Sequence, residues 1–158
     1  MSEKEILTFI AKIEDDLNEL DKLVSRIEKG WEKYNISHDD FYSDSTALNL
    51  HGFYSGLEKI FIKIAEEIDE SAPDGSSWHK ELLDQMALNI RKIRPAVISK
   101  ETRDILDEYR AFRHIVRNVY AFNYSPDKIK ILIKNFNSEY QKIKNEVIEF
   151  LDFLESQS

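Results

Sequence analysis

The segment YRAFRHIVRNVYAF, Tyr109 to Phe122, sets three arginines, a histidine, an asparagine and two tyrosines within a few helical turns. Arginine presents a planar fork of donors that pairs two oxygens of a phosphate and stays charged. Histidine is the side chain that changes charge near neutral pH, whereas asparagine orients a phosphate or hydroxyl through hydrogen bonds and moves no proton. From Arg91 to Arg117 there are eight cations (Arg91, Lys92, Arg94, Lys100, Arg103, Arg110, Arg113, Arg117) against four acids, a local charge of +4 in a chain of −8. Two accounts of this basic island stand: a localised site for a polyanion, or a solvated helix face balanced by acids on neighbouring helices.

The element that carries these residues reads as a helix from an N-cap at Ser99 to about Phe122. At about 100° per residue, Ile105, Tyr109, Phe112, Val116 and Val119 form one stripe, the side that faces a core. Arg110, His114, Arg117, Asn118 and Ala121 fall away from that stripe, and Arg113 and Tyr120 share its flank with Leu106. A polar array outside the core is either wet or meets a second chain or a ligand.

Around this helix the apolar period predicts four others. Ser2 and Glu5 form a capping-box pattern ahead of a long first helix running through Ile6, Ile13, Leu20, Ile27 and Tyr34. The polar stretch NISHDDFYSDST is expected to break it, and Leu50 to Ile68 marks a second helix ending before the turn cluster SAPDGSS. A third is expected from Trp78 to Ile93, stopped by Pro95, and a fifth from Ser125-Pro126, a cap followed by a favoured first-turn proline, to about Glu155. With 158 residues, four glycines, three prolines and no strand pattern, the expectation is all-α. It is a single domain over residues 1–158, an antiparallel up-and-down bundle of about five helices.

The same residues exclude several chemistries. There is no cysteine, so disulfides, thiolate metal sites and cysteine nucleophiles are out, and a reducing compartment is compatible. Charge in every turn of the N-terminal stretch and the lack of an apolar run of about 20 residues point to a soluble, cytoplasmic protein with no membrane role. A di-iron carboxylate bundle needs Glu-x-x-His pairs, and no acid stands three residues before His38, His51, His79 or His114. The acids of SHDDFYSDST lack the order and glycine of a calcium loop and read as turn and cap residues, so no metal is expected. His51, Tyr54 and Glu58 share one face of the second helix and read as a structural hydrogen-bond network. Nothing suggests a cofactor: neither a glycine-rich phosphate loop nor a dinucleotide fingerprint is present.

Arg113, four intervening residues, Asn118, one residue and Tyr120 resemble the HEPN signature of HepT-like toxins, with asparagine where that signature has histidine. HGFYSGLEKIFIKIAEEID (His51 to Asp69), WHKELLDQM (Trp78 to Met86) and LDEYRAFRHIVRNVYAF (Leu106 to Phe122) are similar to successive blocks of the HepT-like branch of HEPN ribonucleases. The resemblance covers roughly the last two thirds of the chain. It implies a helical-bundle, metal-independent endoribonuclease, a toxin of a toxin–antitoxin pair. It also implies a homodimer whose motif helices face each other in a composite site, where a ribose 2′-hydroxyl attacks the adjacent phosphate. On that reading Arg113 stabilises the phosphorane-like transition state, Arg110 and Arg117 bind RNA phosphate, and Asn118 occupies the catalytic position of the motif.

Because asparagine shuttles no proton, His114, one turn earlier, is the candidate to supply the missing imidazole, or else it is an exposed or interfacial histidine. Tyr120 is either a packed flank residue or the site where a minimal nucleotidyltransferase antitoxin attaches AMP, as the resemblance implies. Two functions are open at this stage: a HepT-like ribonuclease toxin, or a non-catalytic HEPN binding module that holds RNA, a nucleotide or a nucleotidyltransferase partner.

Overall fold

A computed structural model of the chain describes the backbone of residues 1–117 and 126–158, and the side chains of residues 1–113 and 126–158. The described residues form six helices and no strand: α1 (Glu3–Ser37), α2 (Asp40–Glu67), α3 (Trp78–Met86), α4 (Lys100–Arg117), α5 (Pro126–Ile133) and α6 (Phe136–Ser156). All six bury residues in one apolar core. Among the described residues no helix is long and apolar enough to cross a membrane.

The expected cap of α1 is present in both directions. Glu5 N–H donates to Ser2 Oγ at 3.2 Å, and Ser2 N–H donates to the Glu5 carboxylate at 2.7 Å, satisfying two N–H groups that a helix start leaves open. The polar stretch after α1 behaves differently from its sequence reading, because the break is only two residues long. His38 closes α1 in the left-handed conformation at φ 56°, and Asp39 caps α2 by accepting from Phe41 N–H at 3.0 Å. Ser43 and Thr46 are buried in the first turns of α2, where their hydroxyls donate to the carbonyls of Asp40 and Tyr42 at 3.0 and 2.7 Å. A hydroxyl satisfied by its own helix can be buried cheaply, so α2 starts about ten residues before its apolar period does.

α1 and α2 therefore form a tight antiparallel pair. A Cβ at Gly56 would lie 2.8 Å from Leu20 Cδ2, so any larger residue here requires the Leu20 side chain to shift. On the other side of α2, Phe53 meets the rings of Tyr109, Phe136 and Tyr140 with centroids 5.9, 5.0 and 5.6 Å away, all steeply inclined. Edge-to-face packing of this kind locks α2, α4 and α6 together.

Two helix boundaries correct the sequence reading. α3 stops at Met86 rather than Ile93, and just beyond it the buried Arg94 guanidinium takes up the carbonyls of Gln85, Leu88 and Pro95. The expected fifth helix is two helices, which raises the count from five to six. Where α5 gives way to α6, the carbonyl of Leu132 accepts the Tyr109 hydroxyl at 3.1 Å, and Phe136 starts α6 inside the aromatic cluster. Ser99 caps α4 as expected: its hydroxyl accepts from Thr102 N–H at 3.1 Å. Glu146 on α6 accepts from Ser99 N–H and from the Thr102 hydroxyl, tying the start of α4 to the last helix.

Candidate functional site

Arg113 lies in the fourth turn of α4, next to the buried Phe112. The sequence projection puts it on the flank with Leu106, and Leu106 is fully buried, so this flank is turned inward toward α2 and α3. There the guanidinium meets a carboxylate and two imidazoles. Arg113 Nη1 donates to Glu58 Oε1 at 3.0 Å, and Arg113 Nε donates to His51 Nε2 at 3.4 Å. His79 Nδ1 is 2.6 Å from Glu58 Oε2, and the two nitrogens of its ring lie 2.9 and 3.4 Å from Arg113 Nη1.

Each helix supplies its part for a local reason. His51 and Glu58 stand seven residues apart on α2, two turns along one face. His79 is the second residue of α3, and its ring stacks on Trp78 with centroids 3.6 Å apart and planes 29° from parallel. The side chain of Glu58 is 5 % exposed, a burial that an ionised carboxylate tolerates only with charged or donor partners, which Arg113 and His79 provide. Since an ionised carboxylate only accepts, the short contact puts a proton on His79 Nδ1, which also lies 2.9 Å from Arg113 Nη1. Among the described residues, Glu58 and His51 accept from Nη1 and Nε of Arg113 and Nη1 also lies against the His79 ring, while the Arg113 side chain stays 20 % exposed.

Tyr54, one turn before Glu58, borders this cluster without joining it. It is 1 % exposed, and its hydroxyl has no hydrogen-bond partner among the described residues. Burial, reinforced by the negative charge of Glu58, pushes its phenol well above the usual range, so it stays neutral. The expected His51, Tyr54 and Glu58 network is therefore a His51, Glu58, His79 and Arg113 network.

The remaining sequence candidates distribute as follows. Arg110 pairs with Asp107 on its own helix, Nε to Oδ1 at 2.7 Å, and is partly exposed. The backbone of His114 and Arg117 belongs to α4, but their side chains lie outside the described residues, as do Asn118 and Tyr120 entirely. Of the basic island, Arg94 serves the fold, and Arg103 lies 3.2 Å from Asp104, so balancing acids account for part of the excess charge. His79 was missed as a site residue. Its signal was a titratable residue beside a tryptophan at the start of a short helix with a buried apolar face, but the partner, Glu58, is 21 residues away and only packing joins them. Among the described residues no cluster of three or more histidine and acidic side chains could hold a metal ion.

This arrangement can fix a phosphate with a guanidinium, and it holds an imidazole in a defined orientation within about one hydrogen-bond length of that guanidinium. A family model described as HepT-like protein matches residues 45–154, a span that includes His51, Glu58, His79 and Arg113. Comparison with curated proteins and with solved structures found no match.

Proposed function

The chain belongs to the HepT-like family, and from that premise we propose that it is an endoribonuclease, the toxin of a toxin–antitoxin pair, which cuts RNA without a metal ion. The observation that carries this reading is the Arg113 cluster: a partly exposed guanidinium anchored on a buried carboxylate, with imidazole nitrogens within 3.4 Å. Cleavage by the ribose 2′-hydroxyl forms a bond from its oxygen to phosphorus and breaks the bond from phosphorus to the 5′ oxygen. The 2′-hydroxyl gives up a proton, and the leaving oxygen gains one. Arg113 neutralises the charge that builds on the phosphorane, and proton transfer falls to an imidazole. Arg110 and Arg117 extend phosphate binding along α4, and a two-fold dimer that brings two α4 helices together completes a composite site.

A minimal nucleotidyltransferase is the proposed antitoxin, adding AMP to Tyr120. Each added phosphodiester brings about one negative charge beside the arginines, where it competes with RNA. Incubation with the transferase and ATP then adds the mass of AMP, and Tyr120→Phe abolishes the gain.

Asn118 favours a second reading, a binding module that holds RNA without cutting it, because asparagine shuttles no proton. Cleavage of total cellular RNA in EDTA separates the two, with wild type, Arg113→Ala and Asn118→His compared alongside RNA binding. A ribonuclease cuts as wild type and fails as Arg113→Ala. A binding module binds without cutting and gains cleavage as Asn118→His. Neither binding nor cutting by folded protein eliminates both.

A further inference from the structure

We infer that the proton-transferring group of this site is His79 on α3, held in place by Glu58, so that the imidazole comes from outside the α4 motif. This rests on the ribonuclease reading and names the residue that reading leaves open.

Three observations carry it. First, the 2.6 Å contact with Glu58 places the proton on Nδ1, which leaves the Nε2 lone pair as the ring's base. Second, among the described residues the contact of Nε2 is with Arg113 Nη1 at 3.4 Å, too long for a strong hydrogen bond. On this assignment, a phosphate seated on the guanidinium brings its neighbouring 2′-hydroxyl to that nitrogen. Third, the ring is fixed twice, in rotation by Glu58 and in plane by the stacked indole of Trp78, which is the preorganisation an acid–base group needs. The side chain of His79 is 25 % exposed, open enough for contact with a substrate, whereas Glu58 is sealed beneath it.

In the reaction, His79 Nε2 takes the 2′-hydroxyl proton as the bond from that oxygen to phosphorus forms. The bond from phosphorus to the 5′ oxygen breaks, and the departing oxygen takes a proton from water. The products are a 2′,3′-cyclic phosphate and a 5′-hydroxyl. His79 is thereby a catalytic residue, and Glu58 a positioning residue that also holds Arg113. Among the described residues, the charged and titratable groups facing the His79 ring are Glu58 from α2 and Arg113 from α4, with His51 across the guanidinium.

The test measures cleavage of a short labelled RNA in EDTA from pH 5 to 9 by wild type, His79→Ala, His79→Gln and Glu58→Gln. Binding is measured on the same RNA made uncleavable by 2′-O-methylation, and thermal melting reports folding. Both His79 variants are expected to lose about 100-fold or more in rate with binding within about threefold. They also lose the fall in rate on the acid side, where protonation disables the base. Added imidazole restores part of the rate to His79→Ala and none to Arg113→Ala, an effect no purely structural role produces. Glu58→Gln is expected to lower the rate and to reshape the acid side of the profile while still binding RNA. A His79→Gln protein that melts like wild type and cuts within threefold of it overturns the assignment and leaves the ribonuclease reading standing. So does a rate loss that imidazole does not relieve and that is matched by an equal loss of binding. Wild type that binds but cuts no RNA overturns the ribonuclease reading itself, and the assignment with it.

Discussion

Two inward-turned arginines meet a carboxylate in this molecule, and they are used in opposite ways. Arg94 and Asp69 are 0 % and 2 % exposed, and Arg94 spends every donor on the fold. Nε and Nη2 clamp the two oxygens of Asp69 at 2.6 and 2.7 Å, Nη1 reaches the carbonyls of Leu88 and Pro95, and Nη2 also reaches that of Gln85. Arg113 is 20 % exposed, gives Glu58 a single bond, and shares that carboxylate with an imidazole. A guanidinium has five N–H groups, so the number committed to the protein decides how many remain for a ligand. By that measure Arg94 is a staple, and Arg113, among the described residues, keeps donors that no protein acceptor takes.

The largest effect expected from breaking this contrast is on stability at Arg94. Arg94→Met leaves the Asp69 carboxylate buried without its charge partner and is expected to cost about 3–5 kcal/mol, read as a fall in the urea midpoint. Adding Asp69→Leu removes the stranded charge and is expected to recover most of the loss. Arg113→Ala should reverse the pattern. Its expected loss is about 100- to 1,000-fold in RNA cleavage, as for removal of a fixed transition-state donor. Its cost in stability is smaller than that of Arg94→Met, because His79 still pairs with Glu58. If the two variants lose stability equally and cleavage equally, the distinction between staple and site fails.

Alkaline titration probes the fold without touching either ion pair, since arginine keeps its proton throughout. Tyr54, Tyr109 and Tyr140 are each 1–2 % exposed, and burial pushes all three phenols up. A group held protonated in the fold contributes stability that is present below its unfolded value of about 10 and is lost as pH rises above it. Stability is therefore expected to be flat in this respect to about pH 10, then to fall by roughly 1 kcal/mol per tyrosine by pH 11. Urea midpoints measured between pH 8 and 11 check this, and a midpoint that is unchanged at pH 11 contradicts it. The smallest effect is at Tyr54→Phe. It removes a buried hydroxyl that has no partner among the described residues, and it should shift stability by less than about 0.5 kcal/mol or raise it slightly.

The fold was legible where burial and period agree. The α1 stripe from Phe9 to Ile27, the caps at Ser2 and Ser99 and the α6 stripe from Tyr140 to Leu154 are local patterns, and the structure realises them as written. It was illegible where polar residues are satisfied at short range, as at Ser43 and Thr46, which hid the start of α2. It was also illegible where a tertiary partner decides, as when Arg94 binds Asp69 of another element together with the carbonyls of Leu88 and Pro95. The site divides in the same way. Arg113 stood out because the motif it forms with Asn118 and Tyr120 is written within one short stretch of sequence. His79 did not, because its role depends on Glu58 and Arg113 arriving from two other helices. His51 and Glu58 were seen to share a face, but periodicity on one helix says nothing about what sits opposite.

The central claim is that the Arg113, Glu58 and His79 cluster cuts RNA by internal attack of the 2′-hydroxyl. Mass spectrometry of a defined RNA oligonucleotide incubated with the purified chain in EDTA tests it most directly. The account predicts fragments ending in 2′,3′-cyclic phosphate paired with fragments beginning in 5′-hydroxyl, both absent with Arg113→Ala. Intact RNA, or fragments that carry a 5′-phosphate, would contradict it.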